Sequence, residues 1–232
     1  MSLNTKFRSS AEEIMDDFSL KGQELDDALD KIAKINRFLG GNRVTLQGVK
    51  KLLKNSNETL TIIDAGCGNG DMLRMLAEFA REISISMRLI GIDANEFTIS
   101  RARELSAGFK NIEFRCADIF EADVDCDIAI CTLTLHHFED RKIIKLMQKF
   151  YASAALGIVI NDLHRSKLAY RLFQLVCLVF SLNRMSRQDG LVSILRGFKR
   201  NELEKYSVEL EFKKYKIRWK WAFRFQWIIW KI

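Results

Sequence analysis

Read for hydrophobic period, the chain alternates between two kinds of stretch. Apolar positions at Leu25, Leu29, Ile32, Ile35 and Leu39 recur about every 3.6 residues. They predict a helix from Gln23, stopped by Gly40-Gly41. The same rhythm predicts helices from Thr45 to about Leu53, after Asp71 (Met72, Leu73, Met75, Leu76, Phe79) and after Asn95 (Phe97, Ile99, Ala102, Leu105). Two more follow, through Ile143, Ile144, Met147, Phe150 and Tyr151, and from Asn201 through Leu203 and Tyr206. A short helix with Ile14, Met15 and Phe18 is expected behind Ser10-x-x-Glu13, a capping-box spacing. Between the helices, residues 61–63, 89–92, 112–116, 127–133 and 156–160 read as buried strands. Strands alternating with helices predict an α/β fold on a mostly parallel sheet.

Two later stretches break this rhythm. Residues 168–180 are apolar nearly all round, which predicts a helix buried on most sides. The stretch is shorter than the roughly 20 residues of a membrane span. It is open to three readings: core filler, the wall of an apolar pocket, or an interfacial membrane helix. A polar loop with Arg184, Arg187 and Asp189-Gly190 is expected next, bordering a pocket entrance. At the C-terminal end, Tyr215, Ile217, Trp219, Trp221, Phe223, Phe225 and Trp227 share one parity, and Lys214, Lys216, Arg218, Lys220 and Arg224 the other. A period of two predicts strands, turning near Ala222. The aromatic parity is expected to be buried and the basic one to be a solvated face that discourages edge pairing. RNA or anionic lipid is the alternative partner for that stripe.

One stretch carries chemistry. Residues 61–63 run into Asp64-Ala65-Gly66-Cys67-Gly68-Asn69-Gly70-Asp71, a strand, a glycine turn and a helix start. Glycine tolerates positive φ and lets a ligand lie against the backbone. A dinucleotide fingerprint needs G-x-G-x-x-G, and here the third glycine arrives one residue early. That spacing disfavours a nicotinamide oxidoreductase. Asp93 ends the next strand 23 residues after Gly70, near the ~20 expected between such a turn and a ribose-binding acid. A carboxylate there accepts two hydrogen bonds from vicinal hydroxyls; the bland alternative is a solvated acid at a strand end.

The D-x-G-x-G-x-G turn resembles motif I of the class I S-adenosylmethionine (SAM)-dependent methyltransferases. Leu135-His136-His137-Phe138 resembles motif IV of the small-molecule branch, which includes quinone-biosynthesis enzymes. It does not resemble the turns used on nucleobases, which counts against nucleic-acid methylation. Asn161-Asp162-Leu163-His164-Arg165, which ends the fifth strand, and Arg196-Gly197-Phe198-Lys199-Arg200 resemble pieces of methyltransferases linked to phenolic or polyketide-lipid pathways. The resemblance implies a Rossmann-like seven-stranded sheet, mostly parallel, closed by an antiparallel C-terminal hairpin. It implies SAM as cofactor, with S-adenosylhomocysteine as product. The implied cofactor contacts are Asp64, Gly66, Gly68, Gly70, Asp93, Ala94, Asp118, Ile119 and Cys131. Asp118 would accept from the adenine amino group and Ile119 would flank the ring; a helix or turn cap is the alternative reading of Asp118. The implied division is a helical extension over 1–57, read either as packed on the core or as a lid hinged at Gly40-Gly41, and a SAM-binding domain over 58–232. A helical insertion covering the acceptor is expected at about 163–198.

Composition adds limits. The 232 residues are 48% hydrophobic and 29% charged, with a net charge of +7, which permits an anionic partner without requiring one. No signal peptide or membrane-length apolar run is seen, and the five cysteines lack C-x-x-C spacing. A cytoplasmic setting is expected, with no disulfide framework and no metal site. All three histidines, His136, His137 and His164, fall just past the fourth and fifth predicted strands. Histidine accepts protons near neutral pH, so each is a candidate base, His164 foremost. The expected reaction is O-methylation of a small hydrophobic phenol- or quinol-like acceptor. The alternatives are a C-, carboxyl- or RNA-directed methyltransferase, or a SAM-binding protein without catalysis.

Overall fold

The computed structural model describes residues 3–53, 58–123 and 125–232. Its centre is a seven-stranded sheet: β1 (Leu60–Ala65), β2 (Met87–Asp93), β3 (Ile112–Cys116), β4 (Cys126–Thr132), β5 (Ala154–Leu163), β6 (Tyr215–Lys220) and β7 (Arg224–Trp230). The strands lie in the order β3-β2-β1-β4-β5-β7-β6. The first five are parallel, and β7 enters antiparallel between β5 and β6. The order reverses between β1 and β4, so the carboxyl ends of these strands frame a crevice suited to a ligand.

Helices cover both faces: α1 (Gln23–Phe38), α2 (Gly41–Leu52), α3 (Asp71–Glu82), α4 (Glu96–Leu105), α5 (Asp140–Ser153), α6 (Lys167–Val179), α7 (Arg184–Arg196) and α8 (Arg200–Glu209). One core unites Ile63, Ala129 and Ile158 of the sheet with Ile143, Met147 and Phe150 of α5. The other joins Ile62, Leu89 and Val159 to Leu73 and Leu76 of α3 and Val49 of α2. Burying each such large side chain contributes roughly 1.5–3 kcal/mol. These two slabs fix the strand ends that carry the site.

Several expectations change. Gly40-Gly41 forms a tight corner, with Gly40 in the left-handed region at the start of α2. A Cβ on Gly41 would fall onto the Asn36 side chain, so the two helices meet only because that side chain is missing. α2 is tied to the sheet: Asn161 Nδ2 donates to Gly41 O at 2.9 Å and to Thr45 Oγ1 at 3.0 Å. The expected domain boundary at 57/58 borders residues 54–57, outside the described residues. The N-terminal helix shrinks to a single 3-10 turn, Ile14–Asp16, and its reciprocal cap is Glu13 with Asp16, not Ser10 with Glu13.

The loop expected around Arg184 is helix α7. Asn183 caps it by accepting from Ser186 N, and its polar side is buried against the N-terminal segment, which hides the usual amphipathic signature. α6 is not core filler, because only Ala169 and Cys177 are buried along it. In the C-terminal hairpin, Trp219 and Trp221 are exposed while Arg224 is buried. β7 is an internal strand, buried at Phe225, Trp227 and Ile229 on one parity and at Arg224, Gln226 and Ile228 on the other. Alternation therefore does not sort inside from outside there.

Candidate active site

One cavity of about 1250 Å³ runs from the glycine turn to the space beneath α1, α6 and α7. At its first pole, Gly66 and Gly68 both have positive φ. A Cβ at Gly66 would strike Thr134, whereas one at Gly68 would meet no atom within 4 Å. Gly66 is thus needed for packing, and Gly68 leaves open space for a ligand. Gly70 starts α3, and a Cβ there would hit Phe114.

Asp93 Oδ2 accepts from Gly68 N and Oδ1 from Asn95 N, both at 3.1 Å. Each oxygen keeps a lone pair for a ligand. Burial raises the Asp93 pKa, and these backbone donors pull against it. Asp64 is buried with Oδ1 unpartnered; burial first, then the charges of Asp71 and Asp93, push its pKa well up. Ala94, Asp118 and the buried Ile119 also line the cavity. Asp118 additionally accepts from Phe120 N at 2.8 Å, so it caps its turn as well. Gly70 and Cys131 are not among the lining residues. Cys131 is fully buried in the core beside Leu135.

This pole fits a nucleoside sulfonium. It offers an open glycine, a two-oxygen acceptor at a strand end, a buried apolar wall and an unpartnered carboxyl. Leu133, which lines the cavity after β4, has φ 55°, a conformation uncommon for such a residue and frequent at functional sites.

The middle of the cavity is a polar cluster drawn from four parts of the chain. His136 is buried; its Nδ1 lies 2.7 Å from Asp162 Oδ1, and its backbone N–H donates to Asp162 Oδ2 at 3.1 Å. Burial opposes ionisation of Asp162, but His136, through its charge when protonated and its hydrogen bond, holds the Asp162 pKa low. In the neutral imidazole a carboxylate on Nδ1 requires the proton there, and Nε2 then carries the lone pair. Nε2 has no hydrogen-bond partner and stands 3.5 Å from Glu13 Oε1, itself unpartnered. Glu13 Oε2 accepts from Ser193 Oγ at 2.6 Å. Burial pushes the Glu13 pKa up to about 7.

His137 Nδ1 pairs with Asp16 Oδ1 at 2.5 Å. Arg196 Nη1 donates to Asp16 Oδ2 at 2.5 Å and Nε to His136 O at 3.2 Å. Asp16 resists burial through its bonds to His137 and Arg196, which keep its pKa well below the usual carboxylate range. Asp189 in α7 accepts from Ile14 N and Met15 N, fastening the N-terminal segment over the cluster. Glu13, His136 and His137 bring ligand atoms within 4.8 Å of one another, close enough to be weighed as a cation site. The Arg196 guanidinium, 3.7 Å from Glu13 Oε1, already supplies positive charge there, so we read the cluster as proton-handling.

His164 is placed differently. Its Nδ1 accepts from Trp219 Nε1 at 3.2 Å, so the neutral ring carries its proton on Nε2 and offers the cavity a donor. Burial, then Lys199 and Arg165, lower its pKa. Sequence reading missed Glu13, Asp16, Asp162, Ser193 and Arg196 as site residues. Their only local signals were a cap spacing, a strand end and an Arg-Gly-Phe turn.

A sheet in this order, with a glycine turn after β1 and an acid ending β2, defines the class I SAM-dependent methyltransferase architecture. A family model described as a methyltransferase domain matches residues 56–212, and the chain belongs to that family. Carboxy-S-adenosyl-L-methionine synthase of Helicobacter pylori (strain HPAG1) is 30% identical over 114 residues, 48% of this chain and 46% of that protein. The chain thus spans about half the length of the curated relatives it matches. Among solved structures, the plantazolicin methyltransferase BpumL in complex with SAH aligns at TM-score 0.67 and 18% identity, over 90% of this chain and 89% of that one. Magnesium protoporphyrin IX methyltransferase from Synechocystis PCC 6803 aligns at TM-score 0.55 and 16% identity, over 83% and 84%. At these identities the likeness is one of fold. Among the described residues no helix is long and apolar enough to cross a membrane.

Proposed function

We propose that the protein transfers a methyl group from SAM to an oxygen of a small, largely apolar, phenol- or quinol-like acceptor. The observation that carries this reading is one continuous cavity, which joins the glycine turn and Asp93 to apolar walls across a His136–Glu13 pair whose facing atoms, Nε2 and Oε1, have no hydrogen-bond partner. SAM, when bound, supplies an electrophilic methyl group on a positively charged sulfur and keeps the electrons of the broken carbon–sulfur bond. The residues that would hold it are Asp93 at the ribose, Asp118 and Ile119 at the base, Gly68 along the backbone, and Asp64 toward its cationic amino end.

The remaining work falls to side chains. Phe173, Val176 and Leu172 of α6, with Leu29 and Ile32 of α1, give the acceptor a dry wall. Holding it at contact distance can supply roughly 7–11 kcal/mol of the barrier. His136 Nε2 receives the hydroxyl proton, a contribution of about 10²–10⁴ in rate. Asp162 fixes the ring tautomer and stabilises the imidazolium that forms. Glu13, held by Ser193, stands beside Nε2 on the side where the proton arrives. His137 and Arg196 hold Asp16 and the N-terminal segment as a cover. His164, with Nδ1 occupied, positions the acceptor through Nε2–H instead of taking a proton.

Peripheral contact with a membrane belongs to the same reading. The outer side of α6 exposes Leu168 and Leu178 beside the basic Lys167 and Arg171, and sedimentation with anionic vesicles tests it.

The function is tested by incubating the protein with SAM and a panel of alkylphenols, catechols and quinols, with products read by mass spectrometry. An acceptor heavier by one methyl, formed together with S-adenosylhomocysteine, is expected. Bound SAM with every acceptor untouched would end the proposal. A carboxylated SAM as product would instead favour the reaction named for the Helicobacter relative.

A further inference from the structure

The floor of the cavity beyond the polar cluster, the acceptor pole of the proposed function, holds a guanidinium whose hydrogen-bonding capacity the fold leaves partly unused. Arg224 begins β7, is 4% exposed, and lines the cavity. Its Nε and Nη1 are buried without hydrogen-bond partners. Arginine has five N–H donors, and a buried guanidinium left unpaired is destabilising by several kcal/mol. Burial lowers its pKa to about 10, so it remains a cation at neutral pH. The backbone explains why it is there. β7 is covered on both sides, so Arg224 at its start is buried, and the Asp162 charge alone leaves two of its nitrogens without an acceptor.

The surroundings say which part of the cavity this is. The lining around Arg224 includes Leu163, Phe223, Trp221 and Asn36. Asn36 Oδ1 and the Arg224 guanidinium carbon lie 1.7 and 3.0 Å from one point, the Cβ position that Gly41 lacks. Asn36 Oδ1 is also without a hydrogen-bond partner, its amide nitrogen being held by Asn42 Oδ1. Asp162, the partner of His136, is the acid whose charge reaches Arg224. Arg224 is in register with Leu163, the residue after Asp162, so the guanidinium belongs to the strand end that carries the partner of His136, while Asn36 links through Asn42 to Asp71 at the start of α3.

We propose that Arg224 is the receptor for a carboxylate carried by the acceptor, so that the substrate class is an apolar aromatic acid rather than a neutral phenol. A guanidinium can grip a carboxylate through two parallel N–H···O bonds. Such a grip would fix which ring oxygen faces His136. The apolar walls take the hydrocarbon part and the buried cation takes the acidic group. This rests on the acceptor cavity proposed above and narrows its occupant.

The test is binding to the full chain saturated with S-adenosylhomocysteine. The probes are an alkylsalicylate and the alkylphenol that lacks its carboxylate, measured by calorimetry on wild type, Arg224→Met and Arg224→Lys. Wild type should bind the acid about tenfold or more tightly than the phenol. Arg224→Met should erase that preference, leave phenol affinity within about twofold, and leave S-adenosylhomocysteine affinity unchanged; Arg224→Lys should restore part of the preference. Without ligand, Arg224→Met should melt at or above wild type, because an unpaired buried charge has been replaced by an apolar chain.

Equal losses for acid and phenol would overturn the proposal. So would lost S-adenosylhomocysteine affinity, which would hand the guanidinium to the cofactor's own carboxylate, or a lower melting point, which would make Arg224 structural. Because binding is read and not transfer, acid binding without methylation would sink the proposed reaction and leave the receptor role standing.

Discussion

The two poles of the cavity are built by different means. The cofactor pole is made largely of backbone: Gly66 and Gly68 at positive φ, amide N–H groups on Asp93, and one strand end after another along the parallel half of the sheet. The acceptor pole is made of side chains from distant segments: Glu13 and Asp16, His136 and His137, Asp162, Ser193 and Arg196, and Arg224. A backbone site needs a local spacing of glycines and one acid, so it tolerates change elsewhere in the chain. A side-chain site needs five segments to arrive together, and its charges must answer one another under burial. On the proposed function, the second kind of site is where the acceptor is chosen.

If the division is real, substitutions at the two poles should fail in different ways. The largest effect is expected from His136→Gln, which removes the free Nε2 lone pair. Turnover should fall by about 10²–10⁴, read in single-turnover assays on an identified acceptor. A loss of only a few-fold would move the base elsewhere.

Next comes Glu13, whose burial holds its proton to about pH 7 against an ordinary value of 4.5. Between those values the folded state binds more protons than the unfolded one, so stability contributed by this group falls as pH rises through the window. The loss is on the order of 3 kcal/mol. Melting curves of wild type and Glu13→Gln should therefore diverge from pH 4.5 to 7, with wild type losing ground. Parallel curves would mean that Glu13 ionises normally and that the cluster is wetter than its burial suggests.

The smallest effect is expected at His164. Its Nδ1 is taken by Trp219, so His164→Ala should slow turnover by no more than about tenfold, the weight of one donor hydrogen bond, and act mainly on KM. A loss as large as that at His136 would restore His164 as the base.

The same division explains what could be read from sequence. β1 through β5 and the turn at Gly66-Cys67-Gly68 were legible because strand burial and glycine spacing are local. Asp93 was legible because it ends a strand at a fixed distance from that turn. Glu13 was visible only as a cap, since nothing local says that a glutamate near the start of the chain will lie 3.5 Å from His136. Asp162 appeared as the end of β5, but its pairing depends on how the turn after β4 folds back. Arg224 was read as one of a solvated basic stripe because its neighbours alternate. That inference fails in a strand covered on both faces, where either parity can be buried. α7 escaped because its buried side is polar: Ser186, Asp189, Ser193 and Arg196 face the N-terminal segment and the cluster.

The most direct test of the two-pole account is the melting shift given by S-adenosylhomocysteine on wild type, Asp93→Ala and His136→Gln. Ligand at about 100 times its dissociation constant adds about 2.7 kcal/mol, roughly 5–10 °C for a chain of this size. The account predicts the full shift in wild type and His136→Gln and its loss in Asp93→Ala. A shift lost in both variants, or kept in both, would contradict it.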